Sequence, residues 1–414
     1  MTEPIILARA IHFAATTLAA GTVSFVVLVA EPAFGRVRSL ATFRKHANLI
    51  AWGALAVAAL SGAAWLALLA ADIYGASLLY VCLHGGVQNV LMGTQFGTVW
   101  SLRLAVALLL ALLLLWPATR WAQMAAAAAF IALLAFVGHA GATTDVAGQL
   151  HLTSDVVHLI AAGAWLGGLP ALALLLATAP QPKELAARAA ARFSTLGVIS
   201  VAALLATGIV NSWMLLSSPR DLVATDYGRL LFLKIGLFAA MLAIAAVNRF
   251  YLTPRLAARS ARRMLSRNSL VETALGCGVL LLVAALGTME PAAHRHLPSL
   301  DIPSDAAFVH IHTEQAMADV LIDPGHTGTA RATIRVMYED SSIFPASEIR
   351  LSLDPPSAGP QSIVRTAVHQ PDGTWRVDNL RLGAAGNWTV RVTIAQENGT
   401  PILLDAPIVI ASGP

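Results

Sequence analysis

Apolar runs close to 20 residues long and nearly free of charge recur through the first 290 positions of this 414-residue chain. A run of that length crosses the hydrocarbon core of a bilayer as a helix, because a helix satisfies its own backbone N–H and C=O groups where no water can. With 57% hydrophobic and only 12% charged residues, and a mean hydropathy of +0.68, the chain is too apolar for a soluble domain of this size. Nine runs qualify, near 5–30, 48–70, 76–92, 98–116, 122–138, 154–177, 195–216, 229–248 and 269–288. The first lacks a basic leader and a small-residue cleavage site, so it is expected to be retained as a helix.

Charge decides how many of the nine cross. The loop "NRFYLTPRLAARSARRMLSRN" is strongly basic and belongs on the cytoplasmic side. Nine crossings would put "GRVRSLATFRKH" on the opposite side, against the same rule. The weakest run, 76–92, is short and carries His84, Gln88 and Asn89. Treated as a re-entrant or interfacial segment on the outer side, it leaves eight crossings with both termini outside. Arg36, Arg38, Arg44, Lys45, Arg120, Lys183, Arg188, Arg192 and the basic loop then all fall inside, and the outer loops keep little more than Arg220.

The membrane part, 1–292, carries an internal repeat. "HFAATTLAAG" and "HLIAAGAWLG" each place a glycine nine residues after a histidine, His12 to Gly21 and His158 to Gly167. Ser61-Gly62 and Thr207-Gly208 follow at the same offset of 146. "TQFGTVWSLR" and "TDYGRLLFLK" then share Thr-x-x-Gly with a basic residue, Arg103 or Lys234, six positions after the glycine. Three ordered matches predict two four-helix halves of the same orientation, related by an axis along the membrane normal.

Polar groups inside apolar helices are costly and face the bundle interior or a cavity. His12 and His158 lie several residues inside the outer face. His139 ends the fourth helix, and His151 and Asp155 start the fifth, where the spacing of His151, Asp155 and His158 gives one shared face. Two imidazoles and a carboxylate on one face suit a metal, with Asp155 as a ligand or as the orienting partner of a histidine. Each histidine also suits a plain hydrogen bond to a neighbouring helix. Intramembrane histidines further raise b-type haem, which needs axial imidazoles, although these cluster near one face without a pairing at two depths. Arg103 and Lys234 are placed to neutralise Asp155, to reach headgroups, or to hold a small anion. Met92, Met214 and Met289 near the outer helix ends offer thioethers of the kind Cu(I) favours.

A linker, 293–300, leads into 301–414, where the pattern changes to period two. "TARATIRVMYED", "SEIRLSLDPP", "GTWRVDNLRL" and "GNWTVRVTIAQ" alternate and are punctuated by Asp, Gly and Pro. A small all-β antiparallel sandwich is expected. It is acidic, with 13 acidic against 7 basic residues, whereas positions 1–300 carry 20 basic and 10 acidic. That split fits a membrane anchor with an outer domain, not a nucleic-acid binder. His310 and His312 share a strand face, and with His326 they are secondary metal candidates. Cys82 and Cys277 form neither a disulfide framework nor a CxxC pair.

"HLIAAGAWLGGL", "GTQFGTVWSLRL" and "TDYGRLLFLKIGLF" resemble the CopD family of bacterial copper-resistance and copper-uptake membrane proteins. The tail, through "HIHTEQAMADVLIDPGHTG" and "GTWRVDNLRLGAAGNWTVRV", is similar to the YtkA-like or FixH-like periplasmic β-domains fused to such proteins. The resemblance implies a multi-pass bacterial inner-membrane protein that handles copper delivered from the periplasm, with a CopC-like copper-binding partner. It departs from the family in lacking an evident CopC-type domain ahead of the first helix and Met-rich repeats, which favours uptake over high-capacity resistance. The chain shows no GxxxxGK loop and no nucleophile–base–acid set, so neither direct ATP hydrolysis nor an enzyme is expected. A haem-dependent redox protein and a non-transporting assembly factor, docking its partner through the β-domain, are the alternatives.

Overall fold

Eight helices among the described residues are long and apolar enough to cross a bilayer: α1 (Glu3–Phe34), α2 (Ala41–Ile73), α3 (Phe96–Leu113), α4 (Arg120–Val137), α5 (Gly148–Ala177), α6 (Glu184–Leu215), α7 (Asp226–Arg255) and α8 (Arg259–Leu286). The computed structural model describes residues 2–34, 39–137, 146–177, 183–215, 221–289, 302–303, 305–313, 316–338, 344–355, 362–396 and 401–413. They divide into two units, Met1–Glu290 and Pro291–Pro414.

The segment expected not to span forms two short helices, Leu78–Leu83 and Gly86–Gly93. Gly85 separates them in the left-handed region, φ 77°, a conformation that glycine adopts without a Cβ clash. Val81 and Val90 anchor the pair under Trp65 and Trp100.

Neighbouring helices alternate in direction. Near the start of α1, Arg9 donates to the Gly287 carbonyl just past the end of α8, at 2.7 Å. At the far end of α1, Glu31 pairs with Arg44 at the start of α2 and Arg120 at the start of α4, at 2.9 and 2.8 Å. The arginine-rich connections therefore gather at one end of the bundle, called the basic end below.

The helices α1 and α5 are the most enclosed of the eight. Gly21 of α1 and Gly167 of α5 sit at their contact, where a Cβ on either would overlap the other helix's backbone. Small residues let helix backbones approach where lipid offers no hydrophobic drive for association. Below that contact Phe25, Phe43, Trp165 and Phe193 pack into one core. Leu60, Leu108, Ile209, Phe232 and Phe250 lie exposed on the perimeter, as lipid-facing positions must.

The second unit is a two-sheet all-β domain of nine strands among the described residues: β1 (Ala307–His312), β2 (Met317–Asp323), β3 (Gly328–Met337), β4 (Glu348–Asp354), β5 (Ile363–Thr366), β6 (Val368–His369), β7 (Trp375–Leu382), β8 (Gly386–Ala395) and β9 (Ile402–Ile410). One sheet has the order β1-β2-β3-β7-β6 and the other β5-β4-β8-β9. The period-two alternation sends Ile334, Val336, Leu351, Leu353, Val390 and Val392 inward. Trp388 is fully buried among them and donates its indole N–H to the Ala384 carbonyl at 2.9 Å. Polar alternates such as Arg331, Arg350 and Arg391 stay at the surface, paired with Asp378, Glu348 and Asp405.

Candidate functional site

The repeat motifs become two similar pockets, one in each half of the bundle. In the first half a threonine opens α3: the Thr94 hydroxyl accepts from the Gly97 amide at 3.0 Å. In the second, Thr225 opens α7 the same way, accepting from Gly228 at 2.9 Å. A serine or threonine in this role satisfies an amide that the first helical turn leaves unpaired. Arg103 and Lys234 each follow their cap by nine residues, about 13 Å along the helix.

In both pockets the histidine Nδ1 meets the neighbouring helix 49 positions later in sequence. His12 Nδ1 lies 2.9 Å from the Ala58 carbonyl and 3.4 Å from the Ser61 hydroxyl of α2. His158 Nδ1 lies 2.9 Å from the Thr207 hydroxyl of α6. Ser61 and Thr207 spend their own hydrogens on carbonyls one turn back, Val57 at 2.6 Å and Ala203 at 2.7 Å. Each hydroxyl is therefore an acceptor toward its histidine. The next residue is glycine in both, and the Cβ positions of Gly62 and Gly208 face the imidazole Cε1.

The far side of each ring is where the halves differ. Arg103 Nη2 donates to His12 Nε2 at 2.9 Å and reaches the Thr16 hydroxyl at 3.4 Å, while Nη1 donates to the Phe130 carbonyl at 2.6 Å. The guanidinium lies over Phe130 and Trp100, at 4.7 and 5.5 Å from their centroids, and the imidazole is flanked by Trp100 and Trp65. His12 and Arg103 are 2% and 1% exposed. A carbonyl only accepts and a guanidinium only donates, so His12 is the neutral Nδ1–H tautomer with its Nε2 lone pair occupied. The expected headgroup and Asp155 partners of Arg103 are not the ones it takes. Its aromatic box and carbonyl hold a buried cation without a carboxylate.

In the second half, Lys234 stands in the arginine's place but has no hydrogen-bond partner among the described residues. It lies within electrostatic reach of both His158 and Asp155. The Thr207 bond holds His158 as the Nδ1–H tautomer, and its Nε2 has no hydrogen-bond partner among the described residues. One turn toward the helix start, Asp155 accepts from the Asn211 amide of α6 and has Tyr227 nearby. One turn further, His151 is buried and is an electrostatic neighbour of Asp155. Ser154 donates to the Thr207 carbonyl at 3.3 Å, tying α5 to α6 beside the ring.

His151, Asp155 and His158 thus share one face with Asn211, Tyr227 and Lys234, whereas His12 is enclosed within its own half. Among the described residues no three His, Cys, Asp or Glu side chains converge as a metal-ligand group. His139 lies outside the described residues. Met92 is exposed and accepts from Gln88, while Met214 and Met289 are half-buried, Met289 against Tyr227 and Leu231. In the β-domain His310 pairs with Asp319 at 2.7 Å, His312 is in register with Met317, and His326 bonds to the Thr327 carbonyl at 3.0 Å. A cavity of about 250 Å³ at the basic end, lined by Glu31, Arg44, Arg120 and Gln123 among others, lies away from the histidines.

Asn211 and Tyr227 are partners that the motif spacing did not single out. Both stand beside motif residues: Asn211 lies one turn after Thr207, and Tyr227 lies within Thr-x-x-Gly. An amide inside an apolar helix is the signal that marks Asn211.

Comparison with known proteins places two stretches of the membrane unit in one family. The description "Copper resistance protein D-like, N-terminal domain" matches residues 1–149, and "Copper resistance protein D" matches residues 187–286. The chain is 31% identical to the inner membrane protein YebZ of Escherichia coli (strain K12) over 297 residues, 68% of this chain and 97% of that protein. It is 29% identical to the copper transport protein CutJ of Bacillus subtilis (strain 168) over 74% of this chain and 57% of that one. It is 31% identical to the copper resistance protein D of Pseudomonas syringae pv. tomato over 48% of this chain and 69% of that one. No solved structure matches. With eight membrane-crossing helices, a paired histidine architecture and relatives matched over most of their own length, the chain belongs to the copper resistance protein D family of membrane proteins.

Proposed function

We propose that this protein moves copper inward across the membrane, taking the ion from the outer side at the His158 face of α5. The observation that carries this reading is the unpartnered His158 Nε2, held in one tautomer by Thr207 beside Asp155 and His151. A neutral imidazole lone pair is a good copper ligand, and a hydrogen bond at the other ring nitrogen is what orients such a ligand. His151 and Asp155 form the approach, and His139 is the remaining candidate donor from the end of α4. His12, locked by Arg103, is the supporting copy.

The basic end faces the cytoplasm in this proposal, because its Arg and Lys residues follow the positive-inside rule. Both termini and the β-domain then lie in the periplasm, where the β-domain meets a CopC-like copper donor. His310, His312 and His326 are its secondary metal candidates. A cysteine introduced at Arg38 should resist labelling from outside, and one at Ser299 should accept it.

The deciding experiment is copper uptake by proteoliposomes, normalised to folded protein, for His158→Ala, His12→Ala and His369→Ala. Uptake should fall sharply for His158→Ala and stay near the parent value for His369→Ala. Unchanged copper binding and uptake in both His158→Ala and His12→Ala would end the intramembrane assignment. A Soret band in purified protein that lacks copper would favour the haem alternative.

A further inference from the structure

Near the basic end of the second half, a polar chain links α7 and α8 inside the bundle. The Asn268 amide donates to the Asn248 side-chain carbonyl at 2.7 Å, and the Asn248 amide donates to Glu272 Oε2 at 2.8 Å. Glu272 is 1% exposed, and its Oε1 has no hydrogen-bond partner among the described residues. Asn248 opens a π-helical turn, Asn248–Leu252, a local widening of the helix that often marks functional positions. Glu272 lies five residues past Arg267, about 7.5 Å deeper along the helix.

No cation among the described residues forms an ion pair with this carboxyl. Its helix packs against α1, α5 and α7. The arm of α5 beside it, Leu169–Ala177, has no titratable side chain. On α7, Arg249 bonds to the Ser194 hydroxyl, and Arg255 bonds to the Tyr251 carbonyl and stacks on that ring. Lys234 is 14 residues from Asn248, near the other end of the helix. On α1, Arg9 is bound to Gly287, His12 to Ala58, Ser61 and Arg103, and Glu31 to Arg44 and Arg120. On α8 itself, Arg259, Arg262, Arg263 and Arg267 all lie toward the helix start from Glu272, and none forms an ion pair with it among the described residues.

An isolated carboxylate in such surroundings must be neutralised or paired. The asparagine chain cannot do this, because Asn248 spends its carbonyl on Asn268 and its amide on Glu272. Copper is a poor match for a lone carboxylate without imidazole or sulfur, and hard metal ions need several oxygens where this site offers one free atom. A proton needs only Oε1.

We propose that Glu272 is a proton-carrying site. Its Oε1 takes H⁺ from water at the basic end and returns it there, so that copper movement through the second half is coupled to protonation of this carboxyl. The coupling rests on the copper-import reading; the proton site does not. Two measurements on the full-length protein in proteoliposomes separate them. In infrared difference spectra across a pH titration, the parent should show a deuterium-sensitive carbonyl band of a protonated, dry carboxyl. Glu272→Gln, which keeps an oxygen acceptor for Asn248, should lack the band, and Glu272→Asp should shift it. In copper uptake, the parent rate should change by roughly tenfold per pH unit on one limb of its profile, and the Glu272→Gln profile should be flat.

A parent without the band, or a band unchanged in both variants, overturns the proton site. Parallel pH profiles for parent and Glu272→Gln overturn the coupling. If the parent moves no copper, the import reading and the coupling fail together, and the infrared band alone decides the proton site. If Glu272→Gln fails to fold, the shifted band of Glu272→Asp decides it.

Discussion

Replacing Arg103 by methionine keeps much of the side chain's bulk and removes its charge and donors. Three hydrogen bonds disappear: to His12 Nε2, to the Thr16 hydroxyl and to the Phe130 carbonyl. Side-chain bonds between membrane helices average about 0.6 kcal/mol, so direct loss is about 2 kcal/mol. Two acceptors, His12 Nε2 and the Phe130 carbonyl, also lose a donor in surroundings dry enough to cost about 1–3 kcal/mol each. Relief from burying a cation offsets several kcal/mol of that cost. The expected net destabilisation is about 2 kcal/mol, or about 4–8 °C in Tm for a domain of a few hundred residues. Arg103→Lys should lose less, because an ammonium retains the charge but cannot fork between Phe130 and His12. The assay is thermal unfolding of detergent-purified protein followed by tryptophan fluorescence, since Trp100 and Trp65 flank the imidazole. Copper bound per folded molecule is measured alongside and should not fall, because the substitution leaves the His158 face untouched. An unchanged Tm would refute the bond count. A normal Tm with lost copper binding would refute the assignment of the first pocket to support.

At the α1–α5 contact, Gly167→Val should sharply reduce folded yield, as seen by size-exclusion chromatography, because its side chain would meet the Thr17 carbonyl and Gly21. Thr207→Val removes the acceptor that holds the His158 tautomer and should weaken copper affinity by about 10–100-fold with folding retained, measured by competition with a copper chelator. In the β-domain Trp388→Ala should cost about 3–5 kcal/mol, visible as faster proteolysis of 301–414 in the full-length protein. Bonds from the Thr374 amide and hydroxyl hold the exposed Asp372 carboxyl below its ordinary range. A lowered folded pKa contributes above the unfolded value and is lost as pH falls through the folded one. Protection of the Thr374 amide, its exchange rate relative to that of an unstructured amide at the same pH, should therefore fall in acid in the parent, while Asp372→Asn should show little of that acid step.

Much of this architecture is local information. Eight apolar runs follow from residue type alone, because the bilayer leaves a backbone no alternative to the helix. The 76–92 segment was separable because His84, Gln88 and Asn89 interrupt a run already too short. The β-domain was legible from period two, since one face of each strand must be apolar to join the core. Repeat spacing singled out His12, His158, Ser61, Thr207, Thr94 and Thr225, but not that the hydroxyls meet the histidines or that the outer threonines cap helices.

What each polar group does there was decided by tertiary structure. Arg103 and Lys234 occupy matching positions, but only Arg103 has the reach and forked donors to occupy its histidine and the Phe130 carbonyl together. The inequality of the two pockets therefore depends on side-chain length against a fixed helix spacing, and on Phe130, which lies 27 residues away in sequence. Glu272 likewise stands out through no motif or spacing in the sequence. Its meaning comes from Asn248, 24 residues earlier, and from an oxygen without a partner among the described residues. Helix formation is settled by the chain against the lipid, whereas the partner of a buried polar atom is settled by which helices pack around it.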